Sequence, residues 1–173
     1  KNGDDNTFIG YRAGYGHATQ DTDSTNNVAV GKNAMYVTSG ANSNTALGFG
    51  ALSGSSAGMT GDSNVAIGLS AMGNATNPYD NVVIGNYAGY DMTTAFNNTF
   101  LGYYAGGNIT DADSNTAVGK NALYSAVTSD DTVAIGFDAL YSQTADGSSS
   151  NVAIGTKAGR AITTGTEKTI VGF

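Results

Sequence analysis

Hydrophobic and polar positions repeat along this chain in short units, each of which ends its apolar run at a glycine. Successive marker glycines are 21, 17, 20, 17, 17, 17, 17, 19 and 17 residues apart, so the basic period is 17 and every departure is a lengthening. Self-similarity at a fixed period predicts a stack of equivalent coils rather than an irregular globule. The marker glycines are Gly10, Gly31, Gly48, Gly68, Gly85, Gly102, Gly119, Gly136, Gly155 and Gly172.

Each coil is numbered here from position one, with the marker glycine at position five. Position two is always Thr or Val and position four is always a large aliphatic residue. β-Branched residues at alternate positions before a glycine predict a short strand that ends in a turn. The insertions at 16–26, 53–63 and 142–150 are rich in Gly, Ser, Thr, Asp and Asn, which predicts loops. We predict an all-β fold, a parallel β-solenoid of about ten short coils, with 1–5 as an N-terminal lead-in and 6–173 as a single repeat domain.

The aliphatic residues at position four are predicted to form the structural core. A side chain of constant size in every copy suits a shared interior, where a change of volume affects the coils on either side. The same reasoning places the alanine at position eight inside the coil. The predicted core residues are Ile9, Val30, Leu47, Ile67, Ile84, Leu101, Val118, Ile135, Ile154 and Val171.

Positions three and nine vary together. Where position three is large, as in Phe100, position nine is glycine, and where it is alanine, as in Ala117, position nine is usually large; Ala153 with Gly159 is the exception. The two positions either share one buried space or descend from two duplicated repeat types. If position three is buried, it points away from positions two and four, so the strand has two buried faces. The second face of so thin a rod is expected to meet identical chains.

Position one is Asn in eight of the ten coils. Stacked in register, these side chains are predicted to form an amide ladder in which each bonds to its equivalent in the next coil.

Composition excludes several classes of function. Fourteen acidic and seven basic residues give a net charge of −7, which repels nucleic acid and anionic lipid. The absence of cysteine removes disulfides and thiolate metal sites. No apolar run approaches the roughly 20 residues of a membrane span, so direct membrane insertion is not expected. The chain starts at Lys1 without a start Met, which we interpret as a piece of a longer protein.

Tyrosines are the leading candidates for contact with a partner, because rigid aromatic faces suit sugar rings and protein hot spots. Tyr11, Tyr87, Tyr103 and Tyr104 flank the turn and are the predicted ligand-binding residues. Tyrosines at position ten are instead interpreted as a structural ladder between coils.

Two acidic pairs raise the question of a metal. Asp21 with Asp23, and Asp111 with Asp113, alternate along loops as Ca²⁺ ligands do. They lack the glycine and glutamate framework of a calcium loop, so the preferred interpretation is solvated turns, with no metal and no cofactor predicted.

An enzymatic role is not predicted. The chain has one histidine, His17, in an inserted loop. Asp130 and Asp131 could in principle supply the two carboxylates that glycoside hydrolysis needs. Neighbouring aspartates in one loop, however, more often form a polar turn.

The repeats resemble two kinds of surface protein. Asn-Val-Ala-Ile-Gly at 64–68 and 151–155 resembles the repeat of trimeric autotransporter adhesin heads of the YadA type. The units at 6–15 and 98–106 are more similar to repeats of bacterial and phage tail-fibre-like proteins. The resemblance covers 6–173 and implies a left-handed β-roll, a homotrimer and an extracellular location on a bacterial surface or a phage or virion fibre. The 17-residue period is longer than the usual adhesin-head repeat.

Three functions follow from this reading. The first is a non-enzymatic fibre segment or adhesin head that attaches to a host cell surface, through a glycan or a matrix protein. The second is a structural spacer or filament subunit that binds only its own copies. The third is a polysaccharide-degrading β-solenoid.

Overall fold

Ten three-residue strands stack in chain order into one parallel sheet. The structure is a computed structural model that describes residues 5–16, 24–55, 58–144 and 147–173, and this part of the chain contains strands and turns but no helix. Two shorter strands, Ser129–Asp130 and Gly147–Ser148, pair in a separate sheet. The strands are β1 (Thr7–Ile9), β2 (Val28–Val30), β3 (Thr45–Leu47), β4 (Val65–Ile67), β5 (Val82–Ile84), β6 (Thr99–Leu101), β7 (Thr116–Val118), β8 (Ser129–Asp130), β9 (Val133–Ile135), β10 (Gly147–Ser148), β11 (Val152–Ile154) and β12 (Thr169–Val171).

Equivalent positions pair residue for residue between neighbouring coils. In β7 and β9, for example, Ala117 lies opposite Ala134 and Val118 opposite Ile135. The same register holds throughout the ten-stranded sheet. The prediction of an all-β parallel solenoid is therefore confirmed, with about nine turns.

The marker glycine ends each strand because no other residue fits there. Gly119 has φ +130°, and a Cβ built on it would lie 2.6 Å from the carbonyl oxygen of Gly136 in the next coil. The chain then turns, and the amide of Ala122 donates to the Gly119 carbonyl at 3.3 Å. Between coils the backbone bonds continue past the sheet, as from the amide of Leu123 to the Ala139 carbonyl at 2.9 Å. Each coil is thus bonded to its neighbours at the turns as well as at the strand.

The coil interior is lined by position three, and the prediction that position four lies there is wrong. Ala117 and Phe100 are fully buried, whereas Leu101 is 48% and Ile9 59% exposed. Successive residues of a strand point to opposite faces, so burying position three turns position four outward. The corrected residues are Ile9, Leu47, Leu101, Ile154 and Val171, which are exposed, and Val30, Ile67, Ile84, Val118 and Ile135, which are half-buried.

Alanine at position eight does lie inside. This alanine is buried in eight of the nine coils that have it. In the first coil Ala13 is half-buried, and it packs against the buried hydrophobic residues of the interior. The narrow interior accepts a methyl group here and little more.

Positions three and nine share one buried space, as the volume-exchange interpretation predicts. A Cβ on Gly106 would lie 2.5 Å from the Phe100 ring, and one on Gly14 would lie 2.4 Å from the Phe8 ring. A third position, twelve, also enters this space: Ile109 is fully buried in the same coil as Phe100. In the exceptional coil the space beside Gly159 is filled by other side chains: a Cβ there would lie 2.8 Å from Leu140 and 2.9 Å from Ile170 of the neighbouring coils, and 3.3 Å from Ile162 at position twelve.

The predicted amide ladder at position one is present. Asn64 Oδ1 accepts from the backbone amide of Asn81 at 3.2 Å and from Asn81 Nδ2 at 3.0 Å. Asn81 Nδ2 also donates across its own coil to the Ala95 carbonyl at 2.8 Å. The side chain therefore ties together two coils and closes one of them.

The ladder changes where Thr132 replaces Asn. Asn115 Nδ2 is buried there without a hydrogen-bond partner. Gln143, at position twelve, supplies the missing amide oxygen: its Oε1 accepts from Asn151 Nδ2 at 3.1 Å, while its Nε2 donates to Ser149 Oγ at 2.6 Å. Sequence reasoning missed this exchange, since it joins positions eleven residues apart.

Candidate functional site

Six tyrosines from four consecutive coils meet on the turn side of the solenoid. We call this set the tyrosine cluster. Its residues occupy positions six, seven and ten, which follow the marker glycine and the strand. Stacking in register brings the same positions of adjacent coils within ring-contact distance. The members are Tyr87, Tyr90, Tyr103, Tyr104, Tyr124 and Tyr141.

Tyr104 is the centre of the tyrosine cluster. Its ring stacks on Tyr87 with centroids 5.0 Å apart and an interplanar angle of 11°. Tyr103 meets it edge-on at 4.7 Å, and Tyr124 does so at 5.7 Å. Tyr124 in turn stacks on Tyr141 at 5.2 Å. Offset and edge-on contacts at these distances each contribute about 0.5–1.5 kcal/mol beyond burial, so the rings hold one another in place.

Glycines at position ten make room for the rings. A Cβ on Gly73 would lie 2.8 Å from the Tyr90 ring, and one on Gly107 would lie 2.9 Å from Tyr104 and 3.1 Å from Tyr124. Each glycine lets an aromatic ring lean over the neighbouring coil. The sequence does carry a signal for Tyr90 and Tyr124. Each stands at position ten of the coil that follows a coil with glycine at position ten, Gly73 and Gly107 respectively.

The cluster is neutral and only partly shielded from solvent. Tyr103 is 45% exposed, while the other five rings are half-buried. The pKa of Tyr104 is raised above its ordinary value of 10.0, mainly by burial and to a smaller extent by the neighbouring Tyr103 and Tyr87. At the end of the cluster, the Arg160 guanidinium lies 5.2 Å from the Tyr141 ring centroid. Flat neutral rings with hydroxyl groups at their edges suit stacking and hydrogen bonding with a ligand.

Three of the four predicted ligand-binding tyrosines lie together, and the fourth does not. Tyr87, Tyr103 and Tyr104 belong to the cluster, whereas Tyr11 lies in the first coil beside Arg12, whose guanidinium is 5.2 Å from its ring. The predicted ladder at position ten is confirmed for two pairs. Tyr124 stacks on Tyr141, and in the first two coils Tyr15 stacks on Tyr36 at 5.5 Å.

Asp113, one of the predicted acidic residues, is hydrogen-bonded to the coils on either side of it. Asp113 Oδ1 accepts from the Phe96 amide, and Asp130 Oδ1 accepts from the Asp113 amide, each at 2.8 Å. Burial raises the pKa of Asp113, and the charges of Asp130, Asp111 and Asp131 add to that rise against the Phe96 hydrogen bond.

No metal site emerges from these carboxylates. Within the described residues, no group of three or more His, Cys, Asp or Glu side chains is arranged to hold a metal ion. Asp21, Asp23 and His17 lie outside the described residues. Asp131 Oδ2 accepts from the Ser148 hydroxyl at 3.0 Å, which again ties a carboxylate to a neighbouring coil.

The outer face of the ten-stranded sheet is a second candidate surface. It carries only Val, Ile, Leu and Thr, from positions two and four of every coil. Nine steps of about 4.8 Å make this face about 43 Å long. Contiguous apolar surfaces of this extent usually mark a contact with another molecule.

No helix in the described part of the chain is long and apolar enough to cross a membrane.

No family model, curated protein or solved structure matches this chain. The architecture is established by the structure itself, as a β-roll-like parallel solenoid. The likeness to adhesin heads and tail-fibre repeats is carried by the repeated residues alone.

Proposed function

We propose that this chain is an extracellular fibre segment or adhesin head that attaches to a host surface, with a glycan as the contacted molecule. The observation that carries the proposal is the tyrosine cluster, a continuous set of six rings held on a hydrogen-bonded stack. Rigid aromatic faces bury the apolar face of a sugar ring, and their hydroxyl groups bond to its edge at little cost in conformational entropy. The resemblance to adhesin heads and tail fibres supports a bacterial surface or a virion as the location.

Backbone conformation gives separate support. Tyr87 and Tyr104 occupy position seven with φ +56° and +53°. Five of the seven other coils place a glycine or a short polar residue there, which suits this left-handed region better, and the remaining two place Arg12 and Lys157 there. A bulky side chain in this region costs roughly 1 kcal/mol or more. Two adjacent coils therefore carry tyrosine at a position where the backbone favours a smaller residue, which fits a role for the rings in binding.

This difference supplies a sharp test. We expect the variant Tyr87→Asn with Tyr104→Asn to stay folded, because the backbone bonds between coils at this position remain, as from the Tyr104 amide to the Asn86 carbonyl at 3.1 Å. Relief of roughly 1 kcal/mol at each backbone position offsets part of the loss of five ring contacts of about 0.5–1.5 kcal/mol each. Binding of the isolated chain to a glycan array should fall sharply. Tyr79→Ala is the matched control, because Tyr79 is exposed and stacks on Phe96 away from the cluster.

Two results would contradict the proposal. The first is an array on which the wild-type chain binds nothing. The second is a signal that the Tyr79 control loses as completely as the double asparagine variant does. Circular dichroism of each variant separates loss of binding from loss of folding.

The apolar outer face favours a second candidate, a spacer or filament subunit that associates with its own copies. The two proposals are compatible, because the outer face and the tyrosine cluster use different positions of the coil. We propose a homotrimer, as the resemblance implies, with the outer face as the contact. Sedimentation should give a trimeric mass, and Ile84→Asp with Val118→Asp should reduce it to that of one chain. A monomeric wild-type chain would refute this assembly.

A further inference from the structure

Two triplets of exposed side chains at position six repeat the same arrangement, a lysine between two aromatic rings. In the first, Lys32 Nζ lies 6.0 Å from the Tyr11 ring centroid and 5.6 Å from that of Phe49. In the second, Lys120 Nζ lies 5.6 Å from Tyr103 and 5.9 Å from Phe137. We call these the first and second lysine triads. The three residues of each come from three consecutive coils, so the stack fixes their spacing.

The ammonium groups are available to a ligand. All four rings and both lysines are exposed. In the part of the chain that the structure describes, an ion pair joins Arg160 to Asp138 and involves neither lysine. An aromatic face attracts an ammonium through its quadrupole without using its N–H donors fully. Each lysine therefore keeps donors for an anion in a chain whose net charge is −7.

The chemistry of a triad selects a particular ligand. An ammonium group pairs with a carboxylate through charge-assisted hydrogen bonds. The flanking rings offer flat apolar faces to a group that has a C–H face of its own. A sugar ring that bears a carboxylate, such as a uronic acid, meets both requirements, whereas a neutral sugar meets only the second.

The two triads lie on one line of the solenoid. Lys32 and Lys120 hold the same position in coils five steps apart, which at about 4.8 Å per step places them about 24 Å from each other. In the two coils between the triads, position six carries Leu69 and Asn86 rather than a lysine or an aromatic ring. The line therefore has two separate subsites, and a flexible chain that reaches both gains affinity from its effective concentration at the second.

We infer that the two lysine triads are paired subsites for one acidic polysaccharide, with the carboxylate of a uronic acid ring on each lysine. This inference rests on the proposed function and names its ligand class. It adds Lys32, Lys120, Phe49 and Phe137 to the tyrosines as recognition residues. It also gives Tyr11 a role, which its distance from the tyrosine cluster otherwise leaves unexplained.

Calorimetry with oligogalacturonate and its carboxyl-reduced, neutral analogue tests the inference. We expect the wild-type chain to bind the acidic oligomer more tightly than the neutral one. Each chain should bind one oligomer that is long enough to reach both triads, or two oligomers that are too short to do so. Lys32→Met with Lys120→Met keeps the apolar stems and should weaken acidic binding at least tenfold. Lys120→Met alone should halve the number of short-oligomer sites. Lys157→Met with Lys168→Met removes the same charge from exposed lysines outside the triads and should change affinity less than about twofold.

Equal affinity for the acidic and neutral probes, or an equal loss in the Lys157 and Lys168 control, would overturn the inference. Its failure is distinct from failure of the proposed function. If neutral glycans bind and lose that binding in the Tyr87→Asn, Tyr104→Asn variant, while the acidic oligomer does not bind, only the paired subsites are refuted. If neither probe nor any arrayed glycan binds, both proposals fail.

Discussion

The shared space of positions three, nine and twelve can be tested by converting one coil type into the other. Coil six holds Phe100, Gly106 and Ile109 in that space, and the equivalent positions of coil seven hold Ala, Leu and Ala. The triple variant Phe100→Ala, Gly106→Leu, Ile109→Ala would give coil six the interior of coil seven. Because coil seven is its direct neighbour in the same sheet, the surrounding backbone is already of the right kind.

Each change alone should be destabilising. Phe100 and Ile109 are fully buried, so truncating them is expected to cost about 3–5 and 2–5 kcal/mol respectively. Gly106→Leu alone would overpack, because its Cβ would lie 2.5 Å from the Phe100 ring, at a cost of about 1–3 kcal/mol or more. The backbone itself should accept leucine, since Gly106 has φ +59° and Leu123, its equivalent in coil seven, has φ +54°.

Together the three changes should partly cancel. If they acted independently, the total loss would be at least about 6 kcal/mol, which is comparable to the whole stability of a small domain. Leucine at position 106 refills part of the space left by Phe100 and Ile109, although the three new side chains are smaller in total, so we expect the triple variant to lose clearly less than that sum. Urea unfolding followed by circular dichroism measures the difference, and the three single variants complete the cycle.

The result also separates the two explanations of the sequence pattern. If the pairing only reflects two duplicated ancestral repeats, the substitutions should be close to additive and the triple variant should fail to fold. Strong recovery requires the three side chains to occupy one space.

Three further predictions concern the ladder, the turn and the carboxylates. Gln143→Ala should lower the unfolding free energy by about 1–3 kcal/mol, because it leaves buried polar groups unpaired, and adding Thr132→Asn should recover part of that loss in urea unfolding; no recovery would contradict the proposed exchange. Gly119→Ala should abolish the native circular dichroism signal, because its Cβ would meet a backbone carbonyl 2.6 Å away, whereas Gly40→Ala, whose Cβ would meet nothing within 4 Å, should keep it. Asp113→Asn should be more stable than wild type at neutral pH. The raised pKa of Asp113 means that the folded state holds the proton more tightly, so wild-type stability falls as pH rises from the ordinary value of 3.8 through the raised pKa. The advantage of the variant should vanish below that window, and a difference that is independent of pH would refute the assignment.

The period, register and glycine turn were predictable because each is visible as a repeated residue. Gly119 and its equivalents recur at a spacing that fixes which residues pair. The amide ladder followed from the same spacing, since stacked asparagines have only each other and nearby carbonyls as partners. Gln143 was not predictable in this way, because its replacement of an asparagine depends on how the coil closes in space.

The face of the sheet could not be chosen from constancy of size alone. Positions three and four are both apolar, and alternation says only that they point in opposite directions. The decisive clue was variation. The interior of a coil is closed, so a change at Phe100 must be matched by Gly106, whereas residues such as Leu101 and Val118 vary without a partner. Covarying volumes therefore mark the closed interior, whereas constancy alone does not choose a face, since the invariant alanine of position eight is also inside.

The site was predictable in part for the same reason. Tyr87 and Tyr104 share position seven in adjacent coils, so a 17-residue spacing places one ring on the other. The contribution of Tyr124 depends on the missing side chain of Gly107, and a close contact across a glycine is hard to anticipate from sequence.

This arrangement separates what folds the chain from what the proposed recognition requires. The bonds that recur between coils at the turn are made by backbone groups, such as the Asn121 amide to the Tyr103 carbonyl at 2.9 Å, and a few coils add a side-chain bond, such as Asn121 Nδ2 to Asp138 Oδ1 at 3.0 Å. The side chains at positions six, seven and ten therefore change from coil to coil while the bonded backbone stays the same. Position six alone carries Tyr103, Lys120 and Phe137 in three successive coils. If the chain is the proposed fibre segment, a surface that can vary at each step of about 4.8 Å without altering the stack allows it to acquire new ligands while its interior and outer sheet face remain fixed.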